Sequence, residues 1–496
     1  MKRLFGWVLA GGLAVGLNAH AANFYVDIDW AGAETGGSST PFNTIGEAVT
    51  AANAGAGPHT IYIASGTYAD VANGGTEDYS AGGGSSGGYS LNQRISIYGG
   101  YDGWDGAGFE WTARTPRTTV IDLNAAASRA FYQDGFTYAE TIDGLTVQNA
   151  SHTAAGGALY LNAGYGGGVT LNDCLFQNNV TTANGGAVYS HTSEKAGPIT
   201  NCDFLDNSGA SGGALYYLPQ YGQAKNIENC TFDGNRATSR GGAVFIDNWS
   251  TGNHTQVLGC TFTDNSAAND GGALFNNNSY ILVGTSVFHG NSAPDGAAVG
   301  GADYWVGGYR LTNCLIYGNT GGYAVQSDQG GRNVGGYTVD MLNCTVTDNP
   351  GGGVRATQNG GEHGADDALR VRNSIIASNG GYGIYCVDDT CIVGYNDVWN
   401  NTTGGYYNVV ADANSISADP LFRDTVTGDY RVKRSSPTVV SSLPEAPALD
   451  YLGDARPGGD GLYTMGAFET PVPEPATISL AALTLAAALT LRRRRS

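Results

Sequence analysis

The densest group of side chains able to do chemistry runs Glu362-His363-Gly364-Ala365-Asp366-Asp367, with Arg370 and Arg372 just beyond it. Hydrolysis of a glycosidic bond needs two opposed carboxylates. Eliminative cleavage of an acidic sugar polymer asks instead for carboxylates holding Ca²⁺ and an Arg or Lys as base. These residue types are all present, but they fall in one short interval, the ordinary make-up of a solvated polar turn. The chain has only 7 histidines, and no Ser/His/Asp arrangement stands out. No glycine-rich loop leads from a strand into a helix to cradle phosphate. A second group is aromatic: Tyr216, Tyr217 and Tyr221, then Trp249 with His254, then Tyr280, then Tyr304, Trp305 and Tyr309. Aromatic faces beside Asp and Asn suit sugar rings, which offer C–H patches and hydroxyls. Tyr217, Tyr221, Trp249, Tyr280, Tyr304 and Trp305 are the candidate polysaccharide-binding residues, with ordinary packing as the competing reading.

What would bring those aromatics to one side is a repeat. A strand motif recurs as Cys174-Leu-Phe176-Gln-Asn-Asn179, Cys202…Asn207, Cys230…Asn235 and Cys260…Asn265, and drifts through Asn291, Asn319, Asn349 and Asn379. Weaker copies end at Asn149 and Asn401. Between them lies a second motif, Gly156-Gly157-Ala158-Leu159 through Gly271-Gly272-Ala273-Leu274. A third short strand precedes each Cys, giving three strands per period. That is too few for a propeller blade, and the leucine spacing of a leucine-rich solenoid is absent. The pattern predicts an all-β, right-handed parallel β-helix of three sheets and about ten coils. Cys and the Phe two residues on should alternate inward and stack coil over coil at strand spacing. Asn tolerates a left-handed turn, and its amide can join a stacked ladder. The expected ladder is Asn179, Asn207, Asn235, Asn265, Asn291, Asn319, Asn349 and Asn379.

The paired strings Phe-x-x-Asn and Gly-Gly-Ala-[Leu/Val] resemble the repeats of chlamydial polymorphic membrane proteins, which are surface-exposed, adhesin-like β-helices. That family ends in an outer-membrane barrel; here no such segment is apparent, so the resemblance implies adhesion only weakly. Phe24-Tyr25-Val26, a capping box at Thr44-Ile45-Gly46-Glu47 and Ile61-Tyr62-Ile63 resemble the N-terminal cap of bacterial β-helix repeat proteins. Asp419-Pro420-Leu421-Phe422 to Gly466-Ala467-Phe468-Glu469 resemble the closing segment of the same group, which implies a structural lid. Residues 73–90 read as a flexible Gly/Ser excursion. Glu362-His363-Gly364 and Asp366-Asp367 are loosely similar to the Gly-His-Gly and Asp-Asp strings of polygalacturonases, which lie on different coils there.

The two ends read as addresses. Lys2 and Arg3, an apolar run from Leu4 to Leu17 and Ala19-His20-Ala21 form a secretion signal over residues 1–21. The other end has Pro473-Glu474-Pro475, an uncharged stretch from Ala476 to Leu491 and Arg492, Arg493, Arg494 and Arg495. Sixteen helical residues span roughly 24 Å, short of a ~30 Å hydrocarbon core. A plain membrane anchor is the simple reading. The order of the three parts over residues 471–496 resembles the PEP-CTERM sorting signal. That resemblance implies transient insertion in the inner membrane, cleavage by an exosortase-type protease, and release to the cell surface or an exopolysaccharide matrix.

Between the addresses the expected divisions are an N-terminal cap and first coils over 22–130, the repeats over 131–401 and a C-terminal cap over 402–470. A formal charge of −20 argues against a nucleic-acid partner. It leaves Ca²⁺ open, although no Ca²⁺ loop is recognisable; no other cofactor is expected, and the chain reads as a monomer. Six of 8 cysteines share the repeat slot and are expected as buried thiols, because in-register side chains point the same way. Cys386 and Cys391 are expected to form a small loop disulfide, which export permits. Two function classes stay open: a non-catalytic surface or matrix protein that binds or displays polysaccharide, and a polysaccharide lyase or glycosidase.

Overall fold

The coil is made by three turn positions in each repeat. The residue before the Cys slot and the residue before the ladder Asn have positive φ: Asp173 and Asn178, Asn201 and Asp206, Asn229 and Gly234, Asn343 and Asp348. The first glycine of each pair does too, with Gly185, Gly212 and Gly241 at 71°, 62° and 64°. Asn, Asp and Gly fill these slots because they accept the left-handed backbone at least cost. The ladder asparagines themselves are not left-handed, which corrects the expectation that their turn tolerance matters there. The second glycine answers a different constraint. A Cβ on Gly186, Gly213 or Gly242 would sit 1.8–2.0 Å from a backbone oxygen one coil away.

The computed structural model describes residues 21–470, apart from 72–73, 81–86, 93, 107, 125–126, 137–139, 164–166, 193–196, 220–224, 248–253, 279, 303–307, 330–338, 359–368 and 388–390. These residues wind into a parallel solenoid. A first sheet of 14 strands carries the strand before each Cys, such as Val169–Asn172; a second of 12 carries the Phe strand, such as Leu175–Gln177. A third sheet, also of 12, carries the strand after Gly-Gly, such as Leu159–Ala163. The solenoid is longer than the ten coils expected, because its first turns lack the Cys-Phe-Asn string. There is also a fourth sheet of 7 two-residue strands, such as Val180–Thr181, hidden in what reads as the Asn turn.

Inside, like residues pile on like. Phe176, Phe204, Phe232, Phe262 and Phe288 are fully buried, with ring centroids 4.7–5.1 Å apart. The six slot cysteines are buried and free, and Cys386 is bonded to Cys391. Asn179, Asn207, Asn235, Asn265, Asn291, Asn319, Asn349, Asn379 and Asn401 form one column of fully or almost fully buried amides. Each Oδ1 from Asn207 onward accepts from the backbone N–H and the Nδ2 of the asparagine one coil earlier, at 2.9–3.1 Å. The second Nδ2 proton goes to a carbonyl of the preceding coil, as from Asn235 to Phe204. Asn149 is outside the column; it takes the left-handed slot, and Ala150 donates to Asn179.

Both ends are closed by packing. Helix α1 (Ile45–Ala54) starts at Thr44, whose Oγ1 accepts from the Glu47 amide, and buries Ile45, Ala48, Val49 and Ala52. Glu77 accepts from the amides of Ile45 and Gly46, and Tyr79 beside it is fully buried. The described part of 73–90 is therefore packed rather than a loose excursion. At the other end Ser415, Ile416 and Ala418 bind Asn396 and Asp397 of the last coil. The chain then folds back along the flank of earlier coils, so it is more than a lid. Asn313, Asn343 and Asn373 donate to the carbonyls of Leu449, Gly466 and Pro444. Leu315, Ile375 and Ala377 are buried beneath it.

Candidate functional site: the outer face of the third sheet

Along a third-sheet strand, alternate residues face out. After the inward Leu or Val of Gly-Gly-Ala-[Leu/Val], the next residue is Tyr160, Tyr189, Tyr216, Phe245 and Phe275 in successive coils. Parallel pairing puts them in register, with Tyr132 one coil before. Their rings stack with centroids 4.8–5.4 Å apart and interplanar angles of 3–24°. Two residues further on, the outward positions run Asp134, Asn162, His191 and Leu218, then Asp247 and Asn277. Asn162 donates to Asp134 at 2.5 Å, and Tyr132 to the same carboxylate at 3.1 Å.

The phenols of Tyr160, Tyr189 and Tyr216 stay protonated. Burial, then Tyr189, Asp134 and Tyr132, push Tyr160 to about 12. Burial and the Asp247 carboxylate raise Tyr189 and Tyr216. Arg129 pins the start of the column: its guanidinium lies 5.6 Å from the Tyr132 ring and 5.4 Å from Tyr160, and donates to the carbonyls of Gly156 and Ala155. Desolvation lowers it to about 10. Arg240 lies 5.1 Å from the Phe275 ring.

The residues expected from sequence fall elsewhere. Tyr217 is fully buried, pointing into the solenoid, because it sits one residue past the outward Tyr216. Tyr221, Trp249, Tyr304 and Trp305 lie outside the described residues, as does Glu362 through Asp367. Tyr280 is half-buried on the first sheet, edge-on to His254 at 4.8 Å. Burial raises its phenol while Arg310 and Arg370 pull the other way. Arg370, Arg372 and Arg310 converge on Asp340, which is fully buried; desolvation raises its carboxyl, but the Arg370 and Arg310 guanidiniums together outweigh that and hold it below the usual carboxylate range. Carboxylate and bases from neighbouring coils thus do meet, but both Asp340 oxygens are engaged by arginine. Among the described residues no group of three or more His, Cys, Asp or Glu could hold a metal ion.

Sequence reading also missed an aromatic face at the N-terminal end. The strand Phe109–Arg114 turns back antiparallel on Ile95–Trp104. It brings Phe109 to Trp30 and Trp104, and Trp111 to Tyr25. The outward Tyr column could have been found from its signal, the residue following every Gly-Gly-Ala-[Leu/Val].

Three family descriptions match the chain: a right handed beta helix region over residues 199–419, a PEP-CTERM protein-sorting motif over 471–495, and a Chlamydia polymorphic membrane protein repeat over 173–191. The PEP-CTERM motif implies exosortase-dependent sorting and supports export to the cell envelope or surface. Among the described residues no helix is long and apolar enough to cross a membrane; Ala476 to Leu491 lies outside them. No curated protein matches the sequence. Among solved structures, pectate lyase Pel9A is 15% identical over 92% of this chain and 97% of its own, with a TM-score of 0.44. The Azotobacter vinelandii mannuronan C-5 epimerase AlgE6 A-module is 15% identical over 76% and 94%, with a TM-score of 0.45. A rhamnogalacturonan lyase is 15% identical over 93% and 98%, with a TM-score of 0.38. The chain is a right-handed parallel β-helix protein that carries a PEP-CTERM sorting motif and a repeat of the Chlamydia polymorphic-membrane-protein type.

Proposed function

We propose that this exported chain is a surface or extracellular-matrix protein that holds a linear polysaccharide along its axis without cleaving it. The observation that carries the reading is the outward column of Tyr132, Tyr160, Tyr189 and Tyr216, one ring per coil at 5.1–5.4 Å, beside Asp134, Asn162 and His191; Phe245 and Phe275 continue the stack but are buried. Stacking uses up the ring faces, so each Tyr offers its edge and its hydroxyl. An extended pyranose chain advances by a similar distance per residue, which lets one sugar register with one coil. Phenols, amides and carboxylates together both donate to and accept from sugar hydroxyls. In this reading the sorting tail inserts transiently in the inner membrane until an exosortase-type protease releases the body, which works as a monomer. Ca²⁺ would be tested by repeating the binding with a chelator.

A second reading, polysaccharide lyase or glycosidase, is favoured by the meeting of Arg310, Asp340, Arg370 and Tyr280 on the first sheet. One experiment separates the two. The purified body is passed over immobilised polysaccharides, including the host's own exopolysaccharide, and eluates are assayed for chain ends. Retention without new ends, weakened about tenfold or more in a Tyr160→Phe, Tyr189→Phe, Tyr216→Phe variant, is the expected result. New reducing ends or unsaturated products would overturn it.

A further inference from the structure

The third-sheet column does not stop at Phe275. Its register continues through Gly300, Gln326, Arg355, Tyr385 and Tyr407. Two things change in this stretch. The first is charge. The Arg355 guanidinium lies 5.3 Å from the Tyr385 ring and 5.8 Å from Tyr323. Its Nε is buried without a hydrogen-bond partner, and no described carboxylate pairs with it. Arg310, Arg370 and Arg372, by contrast, all reach Asp340.

The second change is ring geometry. Tyr385 still stacks on Tyr407, with centroids 4.2 Å apart, but Tyr382 is tilted by 59° to Tyr385 and 57° to Tyr407, and Tyr323 by 60° to Tyr385. Tilted rings keep part of their faces open, which the parallel stack from Tyr132 to Tyr216 does not. Tyr407 is 41% exposed. A guanidinium with an unused, partly desolvated edge is a fork suited to an oxyanion, and the flanking faces can pack on a pyranose ring.

We propose that Arg355, with Tyr323, Tyr382 and Tyr385, forms a subsite for an anionic sugar, binding the oxygens of a uronate carboxylate or a sulfate ester. The subsite rests on the polysaccharide-holding reading and gives that polymer its chemical class. The body is acidic overall, so the contact works at short range, and the test is run at 0.15 M salt, where the Debye length is about 8 Å. Retention is measured on immobilised polygalacturonate, dextran sulfate and neutral dextran. The full body is expected to hold one of the two polyanions about tenfold more tightly than dextran. Arg355→Gln should bring that ratio close to one, and Arg355→Lys should keep part of it. Preference for polygalacturonate assigns the carboxylate, and preference for dextran sulfate assigns the ester. Equal retention of all three polymers, or an Arg355→Gln body with a native circular dichroism spectrum and an unchanged ratio, overturns the subsite while leaving the polysaccharide reading intact. No retention of any polymer, the host's own included, overturns both.

Discussion

At the residue scale the ladder asparagines are the most constrained positions. Asn235 donates from its backbone to Asn265, from Nδ2 to Asn265 and Phe204, and accepts at Oδ1 twice from Asn207. No other side chain of that size supplies two donors and a double acceptor at once. Asn235→Leu would leave the Asn207 amide and the Phe204 carbonyl short of partners in a buried place, where each orphaned group costs about 1–3 kcal/mol. Urea unfolding should show a loss of roughly 3 kcal/mol. A loss below about 1 kcal/mol, the net worth of one ordinary hydrogen bond, would mean the column is decoration. The ladder's spacing was plain in the sequence. Its reason was only half legible, because the left-handed turn belongs to the preceding residue.

At the element scale the two glycines of each pair look identical in sequence yet answer different demands. Gly241 has a φ of 64°, and a Cβ there would stand 2.4 Å from the Val244 oxygen of its own turn, whereas a Cβ on Gly242 would stand 1.9 Å from the Gly272 oxygen one coil away. Gly241→Asn must open its own turn and should fold with a clear drop in melting temperature. Gly242→Ala must push two coils apart and should yield little soluble protein; a soluble, normally melting Gly242→Ala body would refute this packing account. The same scale decides which aromatics face out. Alternation along each strand sends Tyr216 outward and Tyr217 inward, and a shift of one residue reverses the reading.

At the scale of the whole molecule, stability depends on two carboxyls sealed in the solenoid. Burial pushes Glu140 up to about 8, against a hydrogen bond from Gln133, and pushes Asp397 up to about 7, against the Ala418 amide. Both values lie above the unfolded ones near 4, so the folded chain holds the extra protons. Their contribution is complete below about pH 4 and is lost as pH rises through 7 and 8. The body should melt at a higher temperature at pH 5.5 than at pH 8.5. Glu140→Gln with Asp397→Asn should flatten that slope, and a slope that survives both substitutions would contradict the assignment. Asp397 also binds the amide of Ala418, so deprotonation loads the joint between the last coil and the chain that folds back over the flank.

Local chemistry written into the chain determined the repeat, the inward Cys and Phe, the glycine turns, the cap at Thr44 and the sorting tail, because each depends on residues close together or on a strict period. Register, the fourth sheet and the buried flank were decided only when coils stacked, since each depends on contacts between residues about 28 positions apart or more. The same holds for the outward column from Tyr132 to Arg355, the convergence of three arginines on Asp340 and the inward Tyr217. A period says that side chains will meet; only the stacked backbone says on which face.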